Sequence, residues 1–372
     1  MYLVTDFIKF GMTDSEGIKA CLRELSAISP KTLLFAGKDF LIDEAITLPS
    51  NTTVIIDGCS IKQKNFTFDN VFRGANLLLD KDNPYSYPLS VEPLSNIKII
   101  GKNSAKIIGP DKNLRLWHPH FQEELEAVGD YWGWRSHQMN FALCSNMEIS
   151  GLSFTRTRSW AVCFSFCDNI YIHDIEFDTD VKNGDGINFR AGCHHCKVAN
   201  IVGHTSDDTV ACTALNNLTK LHPRYLYPSE PAKKFFATGD PRKMDIHNID
   251  IENLHVSGKY HAVICLAAAG LRVYDISIKN IRELSEKSRL WNFVEIYTGY
   301  GDGYNSGDLH NITVEDVYAN CGISEPDAED KEKAYAAVAC RADVKNVSLK
   351  NINQKGAGAK FLFTNPDGIN IE

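Results

Sequence analysis

The sequence predicts an all-β fold: a right-handed parallel β-helix, a single-stranded solenoid closed at one end by an N-terminal capping helix. Three observations predict it. First, one phrase recurs: a small or polar residue, then Asn, then alternating apolar residues. It stands at Ser95-Asn96-Ile97, Ser145-Asn146-Met147, Asp168-Asn169-Ile170, His247-Asn248-Ile249, His310-Asn311-Ile312 and Lys345-Asn346-Val347, with degenerate copies at His195-Cys196-Lys197 and Tyr274-Asp275-Ile276. Such self-similarity marks a repeat architecture. Second, each copy alternates apolar and polar residues with period two, the pattern of a half-buried strand. Third, hairpin signals between neighbouring strands are largely missing, which disfavours a β-sandwich.

The elements follow in order. Thr13-Asp14-Ser15-Glu16 offers a cap and early acids, and Ile18, Cys21, Leu22 and Leu25 then fall on one face at helical spacing. A solenoid needs its open end covered, so this helix is the cap, within residues 1–30. The repeat spacing is 23 residues from Asn146 to Asn169 and 27 on to Cys196, then 52, 27, 36 and 35. A coil of about 23 residues is therefore lengthened by insertions. Asn at a fixed coil position predicts a ladder of side-chain amides bonded from turn to turn. The chain reads as one domain, 1–372, with 110–137 and 214–245 as loop insertions over a cleft. The charged then Ala-rich run from Asp327 to Cys340 predicts a late helical decoration.

Composition narrows the function. Of 372 residues 44% are hydrophobic and 23% charged, and the net charge is -8 with no block of Lys or Arg. That disfavours nucleic acid and anionic membranes as partners. No apolar stretch is long enough to span a bilayer, and the N-terminus lacks a signal-peptide pattern. The eleven cysteines sit mostly in apolar stretches and read as small buried hydrophobes, which fits a cytoplasmic protein. Cys193-His194-His195-Cys196 lacks a second ligand pair at metal-binding spacing, so no metal and no cofactor is expected.

The sharpest chemical signal is Asn183-Gly184-Asp185-Gly186-Ile187-Asn188, followed 22 and 23 residues after Asp185 by Asp207 and Asp208. One coil separates them, so the three acids should lie on adjacent coils at nearly the same place around the helix, about 4.8 Å apart. Carboxylates this close raise one another's proton affinity. One can then hold a proton near neutral pH while another is ionised, the division between acid and base that glycosidic cleavage requires.

At these residues the chain resembles glycoside hydrolase family 28, the polygalacturonase-like enzymes. Asn183-Gly184-Asp185-Gly186 is similar to that family's Asn-Thr-Asp-Gly, and Ser206-Asp207-Asp208 to its Asp-Asp. Val4-Thr5-Asp6-Phe7 with Thr13-Asp14 looks like the family's opening, and Arg158-Ser159-Trp160 like its Ser-Pro-x-Trp stretch; the C-terminal third matches weakly. The resemblance implies a single-displacement hydrolase that inverts the anomeric centre of an oligosaccharide substrate. It implies Asp207 as general acid and Asp185 and Asp208 as bases activating water. The histidine that tunes the acid best matches His261, with His204 as competitor, and Asn183 and His204 are expected to touch substrate. The family's Arg-x-Lys pair is missing: those positions align with Glu295 and Tyr297. An acid there would oppose a uronic carboxylate. The substrate expected is a neutral sugar rather than polygalacturonate, its hydroxyls met by Glu295 and its ring by Tyr297.

Aromatic, His and Arg residues on the two insertions suit sugar recognition, above all Trp132, Trp134 and Arg135, and less strongly Arg224 and Tyr225. Two rival functions remain: a β-helix polysaccharide lyase or epimerase, and a carbohydrate-binding β-helix without turnover. The sequence specifies no oligomeric state.

Overall fold

A computed structural model describes residues 1–78, 92–118, 121–215, 240–268, 270–284, 290–299, 303–321 and 335–372. Most of the 214–245 insertion, with Arg224 and Tyr225, lies outside them. The N-terminal helix, Asp14–Glu24, begins where expected. The Thr13 side chain accepts from the Glu16 backbone N–H at 3.2 Å, and Glu16 Oε2 accepts from the Thr13 N–H at 2.7 Å, a reciprocal capping box. Its buried face, Ile18, Cys21 and Leu25, packs into the same core as Val4, Leu33 and Phe35 and closes the first coil.

From there the chain winds into a parallel β-helix. One sheet stacks Lys31–Ala36, Thr52–Asp57, Leu94–Lys102, Cys144–Ser150, Asp168–Asp178, His194–Thr205, Ile246–Gly258, Val273–Glu283, Leu309–Ala319, Val344–Gln354 and Ile369–Ile371. A second stacks Ile46–Leu48, Phe72–Gly74, Met139–Ala142, Val162–Ser165, Ile187–Arg190, Val210–Ala214, Val263–Ala267, Asn292–Thr298, Ala336–Arg341 and Ala359–Phe363. Crossovers between parallel strands of one sheet are right-handed for steric reasons, and the fold is a right-handed parallel β-helix. Among the described residues the antiparallel exception is the hairpin Arg115–His118 with Glu123–Glu126, on the first insertion. Register is kept from coil to coil: Ile249 pairs Ile276, which pairs Ile312, which pairs Val347. Like residues thus form apolar columns, and one core cluster runs from Val4 to Ile352.

The asparagines of the repeat are corner residues. Asn96, Asn146, Asn169, Asn248, Asn311 and Asn346 all have φ between 52° and 58°, the left-handed region in which Asn is enriched. The ladder forms over much of the helix: Asn96 donates to Asn51 Oδ1 at 2.8 Å, Asn146 to Asn96 at 3.3 Å, Asn311 to Asp275 at 2.8 Å and Asn346 to Asn311 at 2.9 Å. Asn169 instead donates to Asp168 at 2.8 Å. In the His194–Thr205 coil the corner is His195, φ 53°, and not Cys196 as the degenerate copy suggested; Cys196 faces the core. A second ladder lies five residues after the first, at Asp174, Asn200, Asn253, Asn280, Asp316 and Asn351. Asn200 donates to Asp174 at 2.9 Å, Asn253 to Asn200 at 3.0 Å and Asn280 to Asn253 at 2.7 Å.

The helical decoration expected from Asp327 to Cys340 is corrected where it is described. Ala336–Arg341 is a strand pairing Asn292–Thr298 on one side and Ala359–Phe363 on the other. Small residues suit a strand buried on both faces, and that, not helix propensity, explains the alanines.

Asn253 tests the corner. Replacing it with Ala removes two side-chain hydrogen bonds and leaves a Cβ residue in left-handed geometry. The expected loss is about 2 kcal/mol, read as a lower midpoint in urea, with Asn253→Gly losing less because it gives up the same two bonds but has no Cβ in the left-handed corner. Equal losses for Ala and Gly would mean that the corner geometry is not what Asn253 provides.

Candidate active site

Asp185 and Asp208 come together because they stand at the same place on successive coils. Each lies two residues before the start of paired strand, since Ile187 pairs Val210 and Val210 pairs Val263. The same step places His261 on the next coil and Trp160 on the preceding one. Backbone bonds tie the column: Ala161 N–H donates to Asp185 O at 2.8 Å, Gly186 N–H to Asp208 O at 2.9 Å and Thr209 N–H to His261 O at 2.9 Å. Gly186 is needed there, because a Cβ would stand 2.5 Å from Thr209 O. The turn before Asp185 is pinned to the turn before Asp207, where Val181 N–H donates to Ser206 Oγ at 3.0 Å, and is closed on itself by Thr179 Oγ1, which donates to Gly184 O at 2.6 Å.

One carboxylate oxygen from each of Asp185, Asp207 and Asp208 lies within 4.8 Å of the other two. Asp185 is 5% exposed; its Oδ2 accepts from Asn188 at 3.2 Å, while its Oδ1 and that of Asp208 are buried without a hydrogen-bond partner among the described residues. Burial first, and then the charges of Asp207, Asp208 and Asp130, push the Asp185 carboxyl well above the ordinary range. Burial and then Asp130 push Asp207 up to about 7, against the Asp208 N–H that donates to it. Asp208 is pushed well up by burial, Asp207 and Glu295. At neutral pH the cluster therefore holds protons as well as charge.

His261 is buried, and its Nδ1 lies 2.8 Å from Asn292 O, which fixes Nδ1 as the protonated nitrogen. Burial pushes it down to about 4, so the ring is neutral in the working range. It can order a hydrogen bond near the acids but brings no positive charge. His204 sits on the long strand before the turn and engages Ser257 Oγ at 3.2 Å. Asn183 is a left-handed turn residue, φ 53°, whose Oδ1 is buried with no hydrogen-bond partner among the described residues.

Glu295, Trp132, Trp134 and Arg135, expected at the substrate, are turned inward. Glu295 is 0% exposed and does not wait for sugar hydroxyls: Asn292 Nδ2 donates to its Oε2 at 2.5 Å and Arg341 Nε to its Oε1 at 2.7 Å. Tyr297 lies at the edge of this network, with the Arg341 guanidinium 4.8 Å from its ring centroid. Trp132 and Trp134 are 1% and 2% exposed and cannot offer a face to substrate. Arg135 is turned in beside Asp69, at 3.8 Å, and over the Phe68 ring. Large aromatic surfaces on a long loop are buried to hold the loop down. Among the described residues of that insertion the exposed aromatics are Trp117, 57% exposed and on the hairpin, and Phe121.

Arg341 and Asn292 complete the site and carried no signal of their own, and Asn188 ends the Asn183–Asn188 motif without having been given a role. Arg158, buried, donates to the carbonyls of Thr67 and Arg135 at 3.1 Å and so clamps the first insertion beside Trp160.

No protein-family model and no curated protein matches the chain. Solved structures do match its fold. A mutant of the tailspike protein of E. coli bacteriophage HK620 in complex with a pentasaccharide has a TM-score of 0.60 at 14% identity over 99% of this chain and 58% of that one. A second such complex, with a hexasaccharide, has a TM-score of 0.58 at 13% identity over 100% of this chain and 66% of that one. A hyperthermoactive exopolygalacturonase from Thermotoga maritima has a TM-score of 0.51 at 13% identity over 100% of this chain and 91% of that one. The chain spans about three fifths to two thirds of the tailspike chains. At these identities the likeness is one of fold.

The Asp207 carboxyl generates a stability prediction whose sign is fixed. Its proton affinity is higher folded than unfolded, so its contribution is complete below the unfolded value near 4 and is lost as pH rises through about 7. Asp207→Asn removes that loss. The variant should match wild type near pH 4 and melt a few degrees higher at pH 8. Equal melting temperatures at both pH values would rule out a high-affinity buried acid at this position.

Proposed function

We propose that this protein is a glycoside hydrolase of the family 28 kind, cleaving an oligosaccharide at Asp185, Asp207 and Asp208. The observation that carries the reading is the set of three carboxylates within 4.8 Å on adjacent coils, one of them held near neutrality. Asp207, the most accessible in proton affinity, donates to the leaving oxygen. Asp185 and Asp208 take the proton of the attacking water, with Asn188 orienting Asp185. Neutral His261 lies one coil on and orders the hydrogen bonding around the acid.

The three clustered acids bring negative charge, and Arg341, the base that reaches the Tyr297 strand, is already paired with Glu295. This supports a neutral or weakly charged sugar over a uronate polymer. It also supports hydrolysis over β-elimination, which needs positive charge to neutralise the uronate being deprotonated. Eleven buried thiols fit a reducing, cytoplasmic setting.

One observation favours a second stereochemical reading. Inverting carboxyl groups stand about 6.5–9.5 Å apart and retaining ones about 5 Å; one oxygen of each acid comes within 4.8 Å of the others, which leans toward the shorter spacing. The resemblance to family 28 supports inversion through a water shared by Asp185 and Asp208.

A panel of neutral aryl glycosides and oligosaccharides, run beside polygalacturonate, tests the function, and NMR of the first-formed anomer decides the stereochemistry. Asp207→Asn is expected to lower kcat by about 1,000-fold while leaving the circular dichroism unchanged. Turnover at the wild-type rate in that variant would sink the assignment of the acid. An unsaturated, ultraviolet-absorbing product from a uronate polymer would replace hydrolysis with lyase chemistry.

A further inference from the structure

The outward face of the second sheet carries both a partner of the acids and an exposed cation. Asn188, which donates to Asp185, stands in register with Ala211, Ile264 and Glu295 on the next three coils, so Glu295 lies in the same outward column. Two residues on, Tyr297 pairs Arg341 of the following coil, on that face as well. The alternate residues, Val294, Ile296, Val338 and Cys340, turn into the core. Arg341 is held at two points. Its Nε donates to Glu295 Oε1 at 2.7 Å, and its guanidinium lies 4.8 Å from the centroid of the Tyr297 ring. That ring lies over Gly299, where a Cβ would collide with it. Glu295 accepts from Asn292 Nδ2 at 2.5 Å, and Asn292 Oδ1 accepts from the Ala336 N–H at 2.9 Å. The anchor is fully buried, whereas the Arg341 side chain is 42% exposed. Among the described residues its two terminal nitrogens have no hydrogen-bond partner.

We propose that Arg341 is a specificity-determining residue of the same site, a fixed guanidinium fork that donates to two neighbouring hydroxyls of a neutral sugar residue away from the bond being cleaved. That role rests on the hydrolase reading and sets which part of the substrate is recognised. Nε is engaged by Glu295, so the two terminal nitrogens are the donors left, and a planar pair of N–H groups suits paired oxygens. A guanidinium without a partner would favour a carboxylate. Here Glu295 offsets the charge and the three acids belong to the same groove, so hydroxyl oxygens fit better than a uronate. Pinned between a buried carboxylate and a ring, the fork has little rotamer freedom to lose when it binds. Its strand, Ala336–Arg341, follows Val210–Ala214 by three strand steps, about 14 Å of helix axis at the usual strand spacing. The sugar met by Arg341 is therefore not the one whose leaving oxygen is protonated. The contact strengthens only chains long enough to span that distance.

Chain length is the variable that tests it. Neutral cello-, xylo-, malto- and galacto-oligosaccharides, from disaccharide to hexasaccharide, are titrated calorimetrically into the Asp207→Asn protein, so that bound chains stay intact, with oligogalacturonates beside them. In the series that binds, affinity should rise with length. Adding Arg341→Lys keeps a charge for Glu295 but removes the fork, and should cut that gain about tenfold. With Asp207 restored, kcat/KM for the hexasaccharide relative to the disaccharide should fall by a similar factor, carried by KM. A gain with length that Arg341→Lys leaves intact overturns the proposal, and cleavage of those chains would keep the hydrolase reading. Losses of equal size for short and long chains also overturn it and make Arg341 a structural residue only. So does the absence of binding in every neutral series. An oligogalacturonate that binds better than all of them and weakens in Arg341→Lys overturns the neutral class. The predicted loss of gain with no cleavage by wild type would leave the Arg341 contact standing and remove the hydrolase reading instead. Should Arg341→Lys fold poorly, Arg341→Gln combined with Glu295→Gln leaves no buried charge unpaired and provides the same comparison.

Discussion

The left-handed corner is the constraint on which the rest of this structure depends. A coil of strand can repeat at the spacing of adjacent strands only if the chain turns at the same angle each time, and the turn needs φ near +55°. Asn and Asp accept that conformation and use their side chains to bond the corner above or below. Two such ladders, five residues apart, bend each long strand at the same points. With corners fixed, register is fixed, and inward residues stack like upon like in one continuous core.

The geometry of the three acids is a by-product of the same repetition. A residue beside the start of one short strand must stand over its counterpart on the next, which is why Asp185 and Asp208 meet without any designed loop. The cost is electrostatic. Carboxylates stacked in a half-buried column lose water and repel one another, and the fold accepts that loss because corners and core over-determine the backbone. Stability and proton retention are thus two readings of one stress.

This explains which parts were legible in the sequence. The first ladder was visible because Asn recurred with a strand on its far side. The second was hidden because its corners fall inside continuous strands, where Asp174 or Asn280 reads as an ordinary exposed polar residue. The three acids were legible because 22 residues is close to one uninterrupted coil. Glu295 was misread because its partner, Arg341, arrives from the next coil after an insertion, so that no spacing rule connects the two. Trp132 and Trp134 were misread for a different reason: aromatic content on a loop signals burial as readily as ligand contact, and only packing distinguishes them.

Two carboxylates whose charge reaches the acids show how a solenoid refines a column it cannot rearrange. Within the column, the backbone dictates position, and a strand residue is free only to change identity. Glu295 is such a residue, and its charge is balanced by Arg341 from its own sheet. Asp130 comes from outside the column, on an insertion stapled by buried tryptophans and clamped by Arg158. Charge supplied from an insertion can be moved or lost without disturbing any coil, whereas charge in the column cannot. The repeat therefore fixes where the acids stand, and burial with the charges around them sets how tightly they hold their protons.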